Sequence, residues 1–220
     1  MINRNTINEI IYIWLKNNVG VYSQDHYNNE SYDIEKLFTV TNNGVIECLN
    51  LNDYLQFIYL EETVTNIPYK FGRVNCNFIC DNSSLKTLQN CPMEVSKSFS
   101  CQSLKDLISL EGAPRIVRED FSCYNCCQLT SLEGAPKYIL KSFDCVLCDN
   151  LVSLKGAPKY VGGNFDCNRC EKLKSLEYSP LYVGGNFDCS YCDNLVNLKG
   201  ISKYINGICE NTYTLNPANN

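Results

Sequence analysis

The chain holds one histidine, one tryptophan and two methionines in 220 residues. That single histidine is not accompanied by a recognisable Ser/His/Asp set, so nucleophilic catalysis finds little support. That residue, His26, stands in a polar run with Tyr22, Asp25 and Tyr27, where an imidazole is simply solvated. Neither a phosphate loop nor a dinucleotide fingerprint can be written, since no glycine-rich run opens a helix. Basic charge is also short: Lys and Arg number 19 against 24 Asp and Glu, for a formal net charge of −5. With no general basic field to gather phosphates, nucleic acid is disfavoured as a partner, and an acidic surface suits basic or polar protein partners. Long apolar runs are missing too. Ile10 to Leu15 falls far short of the roughly 20 residues that span a bilayer. The first fifteen residues carry Glu9, Asn3, Asn5 and Asn8 instead of a basic stretch, an apolar run and a cleavage site. A soluble cytoplasmic protein without catalytic residues, cofactor or membrane association is the expectation.

Cysteine is what the chain has in excess, with 15 residues. In a reducing compartment these are metal ligands, packed core thiols or redox groups. Their spacing shows the organisation. Phe99, Phe121, Phe143, Phe165 and Phe187 recur every 22 residues, as do Cys101, Cys123, Cys145, Cys167 and Cys189. A second cysteine column follows at Cys126, Cys148, Cys170 and Cys192, then leucines at Leu107, Leu129, Leu151, Leu173 and Leu195, and at Leu110, Leu132, Leu154, Leu176 and Leu198. Each coil closes on a turn, Gly-Ala-Pro at Gly112, Gly134 and Gly156, varied at Tyr178-Ser179-Pro180 and Gly200-Ile201-Ser202. An earlier coil, Phe78 to Pro92, fits with one residue fewer between Cys80 and Leu85, making about six recognisable coils.

A fixed period of this length is the signature of a solenoid. Phe-x-Cys and Leu-x-x-Leu predict two short extended runs per coil, with Gly and Pro at the corners. A lone coil cannot bury both of its flat faces, so neighbours and caps are required. The N-terminal cap is legible: Thr6-Ile7-Asn8-Glu9 reads as a capping box, Ile7, Ile10, Ile11 and Trp14 share one helical face, and Gly20 is the expected stop. Leu37–Val40 and Val45–Leu49 flank Asn43-Gly44, a hairpin signal. The predicted architecture is an α+β cap over 1–70, a leucine-rich-repeat-like solenoid with short parallel strands over 71–209, and a loosely ordered tail over 210–220.

These columns resemble leucine-rich repeats, whose core admits cysteine where an asparagine ladder otherwise stands; Cys126, Cys148, Cys170 and Cys192 would hold that position. The C-x-x-L-x-x-L run Cys170 to Leu176, followed by proline and valine, is similar to the leucine-rich subtype of bacterial surface proteins. The Ser-Leu-Glu-Gly-Ala-Pro blocks, with Gly-Gly-Asn-Phe-Asp-Cys, resemble more closely still repeat proteins of bacteriophages and other large DNA viruses, including their entry segment Pro68 to Gly72. That likeness spans about 65–209. It implies the fold and a viral setting, hence the host cytoplasm, but no settled activity; leucine-rich repeats in general imply protein binding, which is an analogy at the level of fold.

Three sets of residues are candidates for chemistry. Cys123-x-x-Cys126 through Cys189-x-x-Cys192 give C-x2-C-x18-C-x2-C, a zinc-ribbon spacing. The competing reading is core packing, because Cys101 has Leu104 in place of the second cysteine, and a slot that takes either residue is an apolar one. Asp144, Asp166 and Asp188 share the position between Phe and Cys. They would form a column of carboxylates that raise one another's pKa unless a cation or basic partner is present, the alternative being satisfaction by solvent and lysines. Tyr138, Tyr160, Tyr182 and Tyr204 precede inward Ile139, Val161, Val183 and Ile205, and an outward tyrosine stripe is good protein-contact surface, or else a self-stacked stiffener. Glu111, Glu133, Lys155, Glu177 and Lys199 read as solvated cross-coil pairs. The expected function is a non-enzymatic module that binds a protein, such as a host defence factor, through the Tyr and Asp columns. A cysteine-based zinc protein and a structural assembly protein are the alternatives.

Overall fold

The computed structural model describes residues 4–23, 33–49 and 55–211. His26 and most of the C-terminal tail lie outside them. The chain opens with helix α1 (Arg4–Asn18), strand β1 (Val19–Ser23), a short helix α2 (Ile34–Leu37), and strands β2 (Thr39–Val40), β3 (Ile46–Cys48) and β4 (Leu55–Leu60). Two longer strands, β5 (Phe71–Val74) and β6 (Asn77–Ile79), begin the regular stack. Each later coil adds two dipeptide strands: β7 (Glu94–Val95) and β8 (Phe99–Ser100), β9 (Ile116–Val117) and β10 (Phe121–Ser122), β11 (Tyr138–Ile139) and β12 (Phe143–Asp144). The series continues with β13 (Tyr160–Val161) and β14 (Phe165–Asp166), β15 (Tyr182–Val183) and β16 (Phe187–Asp188), β17 (Tyr204–Ile205) and β18 (Cys209–Glu210).

Among the described residues these strands make two nine-stranded sheets, one ordered β1-β4-β6-β8-β10-β12-β14-β16-β18 and the other β17-β15-β13-β11-β9-β7-β5-β3-β2. Both are parallel through the coils, and each is closed at its N-terminal edge by an antiparallel strand, β1 against β4 and β2 against β3. The result is a β-solenoid of about seven coils of roughly 22 residues, preceded by a short helix. Through the repeats the register holds, Phe121 pairing with Phe143, Phe143 with Phe165 and Phe165 with Phe187, while it shifts in the cap between Tyr22 and Ser23 and between Ile46 and Cys48.

The core lies between the sheets. The phenylalanine column is wholly buried, and its rings stack, Phe121 on Phe143 at 5.2 Å and Phe143 on Phe165 at 5.4 Å between centroids. Val117, Ile139, Val161 and Val183 face it from the second sheet, and both leucine columns fill the remainder. The Leu-x-x-Leu run is not the second extended segment: the strand is the Tyr-Val/Ile dipeptide. The leucines enter the core from tight turns, in which the Leu129 N–H bonds the Cys126 carbonyl at 3.1 Å and the Leu151 N–H bonds that of Cys148 at 2.8 Å. A turn of this kind brings side chains three apart to one side, whereas an extended chain would put them on opposite faces.

The cap departs from expectation in detail. Helix α1 already includes Arg4, so Thr6 is inside it rather than at its N-cap. Ile11 and Leu15 form its buried face, with Trp14 half-buried and edge-on to Tyr69, whereas Ile7 and Ile10 are exposed. The helix stops at Asn18, whose side-chain amide bonds the Trp14 carbonyl at 2.8 Å, and Gly20 lies in β1. There a Cβ would meet the far end of the Tyr59 side chain on the neighbouring strand, which would have to turn aside. The Asn43-Gly44 hairpin forms between β2 and β3, with Gly44 at φ 71°. At the far end the pattern decays: Cys209 takes the phenylalanine slot and is exposed, and Ser202 takes the buried proline slot, its hydroxyl having no partner among the described residues.

Candidate partner-binding surface

Alternation along each dipeptide strand fixes which side chains face outward. In the second sheet Ile139 is buried and Tyr138 is 61% exposed, Val161 is buried and Tyr160 is 37% exposed. Parallel pairing puts Tyr138, Tyr160, Tyr182 and Tyr204 in one column. Tyr160 and Tyr182 stack at 4.9 Å with planes 3° apart, the Asn206 amide donates to the Tyr182 hydroxyl at 2.7 Å, and Lys203 lies over the Tyr204 ring at 5.3 Å. The column is thus both an outward surface and a partly self-stacked one.

Asp144, Asp166 and Asp188 also form a column, on the other sheet, and the register adds Glu210 beyond them. The two candidate columns therefore occupy different sheets, separated in each coil by a corner such as Leu140-Lys141-Ser142. The carboxylates are half-buried and built into turns: Asp144 accepts from the Val146 N–H at 2.9 Å and the Ser122 hydroxyl at 2.9 Å, Asp166 from the Asn168 N–H at 2.9 Å, and Asp188 from the Ser190 N–H at 2.8 Å. Burial raises the Asp144 pKa, and it pushes Asp166 up to about 6, helped by the neighbouring charges of Asp188 and Asp144. Burial outweighs the like-charge repulsion that the sequence led one to expect.

The cysteines behave as core. The first column donates S–H to the next coil, Cys123 to the Asp144 carbonyl and Cys145 to that of Asp166 at 3.3 Å. The second donates to the preceding coil, Cys148 to the Cys123 carbonyl at 3.3 Å and Cys170 to that of Cys145 at 3.2 Å. The two sulfurs of each C-x-x-C are thus committed in opposite directions along the stack. Among the described residues no three or more His, Cys, Asp or Glu come together to hold a metal ion. Burial holds the Cys101 and Cys145 thiols well above their ordinary pKa, so they stay protonated.

Two columns escaped the sequence reading. The residue before each Phe forms a polar ladder: Asp120 accepts from the Ser142 N–H at 2.9 Å, Ser142 from the Asn164 N–H at 3.1 Å, and Asn164 from the Asn186 N–H at 2.8 Å. Its residues vary among Ser, Asp and Asn, so identity hides what the period of 22 and the shared short acceptor would have revealed. The second is Arg115, Lys137, Lys159 and Lys203, each exposed and each directly before the outward residue of the second sheet. Cross-coil ion pairing occurs elsewhere, as in Lys155–Glu133 at 2.9 Å and Lys141–Glu119 at 3.2 Å.

No family model matches this chain, and neither a curated protein nor a solved structure does so.

Proposed function

We propose that the chain is a non-enzymatic repeat module that binds another protein, with the outward tyrosine column of the second sheet as its principal contact. The exposure of Tyr138, Tyr160 and Tyr204 on a hydrogen-bonded, registered sheet supports this reading. Tyrosine offers large contact area with few rotamers to freeze, and a stacked sheet has already lost the backbone freedom that binding would otherwise cost. By its likeness to viral repeat proteins, the partner is a host protein, one acting in antiviral defence. Affinity capture from host lysate tests this, with wild type compared to Tyr138→Ala/Tyr160→Ala/Tyr182→Ala after thermal melting shows both folded. A protein held by wild type and lost by the variant supports the reading; capture that is identical for both removes it.

A second reading, assembly through the C-terminal end, has its own observation. Leu198 is 37% exposed and Ile208 65% exposed, while Leu132, Leu154 and Leu176 of the Leu198 column are fully buried. β17 and β18 are the last strands of their sheets among the described residues, and an unpaired edge templates pairing. Light scattering across a concentration series decides it: a mass that rises with concentration supports assembly, and a constant monomer mass excludes it.

A further inference from the structure

The proposed protein-binding reading leaves the partner's chemistry open, and the second sheet limits it. We infer that this face recognises an extended acidic polypeptide segment, lying along the solenoid axis over the tyrosine column and held by the cation column beside it.

The first observation is a charge left unanswered. Several opposite charges in adjoining coils pair: Arg73 and Arg118 both reach Glu94, at 3.1 and 2.8 Å, and Lys155 reaches Glu133 at 2.9 Å. Arg115, Lys137, Lys159 and Lys203 have no carboxylate within ion-pairing distance among the described residues. Lys137 donates to the Gly156 carbonyl at 3.3 Å, and Lys203 covers the Tyr204 ring. On a chain of net charge −5, whose Asp144, Asp166 and Asp188 column stands on the other sheet, such a row is a local reversal of sign over the later coils. It favours an anionic ligand at this face.

The second observation disfavours a stacked nucleic acid at the middle of the column. Single strands bind such rows by stacking bases on aromatic faces. Here the faces of Tyr160 and Tyr182 are turned to each other at 4.9 Å, which leaves no room for a base between them. What the stack offers outward is ring edges and hydroxyls, and aromatic edges carry the positive part of the quadrupole, which attracts carboxylates. The third consideration is period. Equivalent atoms of adjacent coils recur about every 4.8 Å, and same-side residues of an extended strand about every 6.8 Å. Lysine and arginine stems are long and flexible enough to take up that mismatch, so Lys137 and Lys159 can engage successive same-side carboxylates of one segment. Leu181, 64% exposed, interrupts the row and offers an apolar contact at that level.

Fluorescence anisotropy with labelled poly-L-glutamate tests this, beside oligothymidylate of equal length, at low and at physiological salt. Wild type is expected to bind poly-L-glutamate, more weakly at the higher salt. Lys137→Gln/Lys159→Gln is expected to lose about tenfold in affinity, the equivalent of roughly 1.4 kcal/mol. Lys174→Gln/Lys199→Gln, with the same change in net charge elsewhere on the surface, is expected to match wild type. All three proteins should melt together, since the substituted side chains are exposed. The inference is overturned if wild type does not bind poly-L-glutamate, if both double variants lose affinity equally, or if oligothymidylate binds more tightly and is lost in Lys137→Gln/Lys159→Gln. Should poly-L-glutamate fail while lysate capture still depends on the tyrosines, protein binding stands and only the acidic chemistry falls.

Discussion

Replacing Gly156 with alanine probes the packing of coil on coil more directly than any core truncation. Gly156 has φ 91°, and a Cβ there would be driven against the backbone of Leu132 and Glu133 in the coil before. Two costs follow. Left-handed backbone costs an L-residue about 1–2 kcal/mol, and forcing a methyl group into a packed site costs about 1–3 kcal/mol more. The sum of about 2–5 kcal/mol is a large part of the roughly 5–15 kcal/mol that holds a domain folded. At about 2–4 °C per kcal/mol for a chain of this size, the midpoint should fall by roughly 10 °C. The assay is thermal unfolding by circular dichroism, repeated in urea because stacked coils can unfold in stages. The equivalent slot one coil on is Tyr178, at φ 71° and 62% exposed, where the chain already accommodates a side chain. Tyr178→Gly should therefore stay within about 1 kcal/mol of wild type, relief of backbone strain offsetting the added freedom of the unfolded chain. A Gly156→Ala protein melting within about 2 °C of wild type would refute the claim that coil spacing leaves no room for a Cβ at this corner.

Three further outcomes follow from the same geometry. Leu147 stands at φ 58° in a slot that Asn82 and Asn125 fill at similar angles, so Leu147→Asn should raise stability by about 1 kcal/mol in urea titration; a loss would show that its side-chain packing outweighs backbone strain. Asp166 has a folded-state pKa of about 6 against an ordinary 3.8, so the folded protein holds that proton the more tightly. Its stabilising contribution is fully present below pH 3.8 and is lost as pH rises through about 6. Asp166→Asn should accordingly melt higher than wild type at pH 7 and lose that advantage near pH 4; an equal difference at both would assign the effect to packing instead. Of the 15 thiols, exposed Cys209 and half-buried Cys127 should react with a thiol reagent in the native protein, the buried columns only on unfolding. Rapid reaction of Cys145 or Cys167 would mean that the coils open readily.

Much of the fold could be read from one row of letters because the solenoid repeats each structural instruction. A buried Phe in one coil is an inference; Phe121, Phe143, Phe165 and Phe187 in unbroken register are close to a measurement of the stack. The same register marked the Tyr and Asp columns and the slot shared by Leu104 and Cys126, all of which the structure brings into line or buries as the pattern implied. The cap had no repeat to average over. There Ile7, Ile10 and Ile11 lie within one turn of helix, and hydropathy alone did not separate the exposed pair from the buried residue. The leucine run was misread for a related reason: a spacing of three is that of a turn and not the alternation of an extended run, and a dipeptide strand such as Tyr160–Val161 is too short to show its own alternation.

The sequence by itself determined the coil length, the inward columns, the polar corners and the character of the outward tyrosines, because each depends only on position within a repeat. Tertiary structure alone decided what depends on neighbours in space. It set the Tyr and Asp columns on separate sheets, turned paired cysteines to opposite coils, and left Arg115, Lys137, Lys159 and Lys203 without ion-paired carboxylates among the described residues while Arg118, Lys141 and Lys155 found theirs. Charge pairing and carboxylate pKa fall off over a few ångströms, and distances of that kind are fixed only once one coil lies on the next.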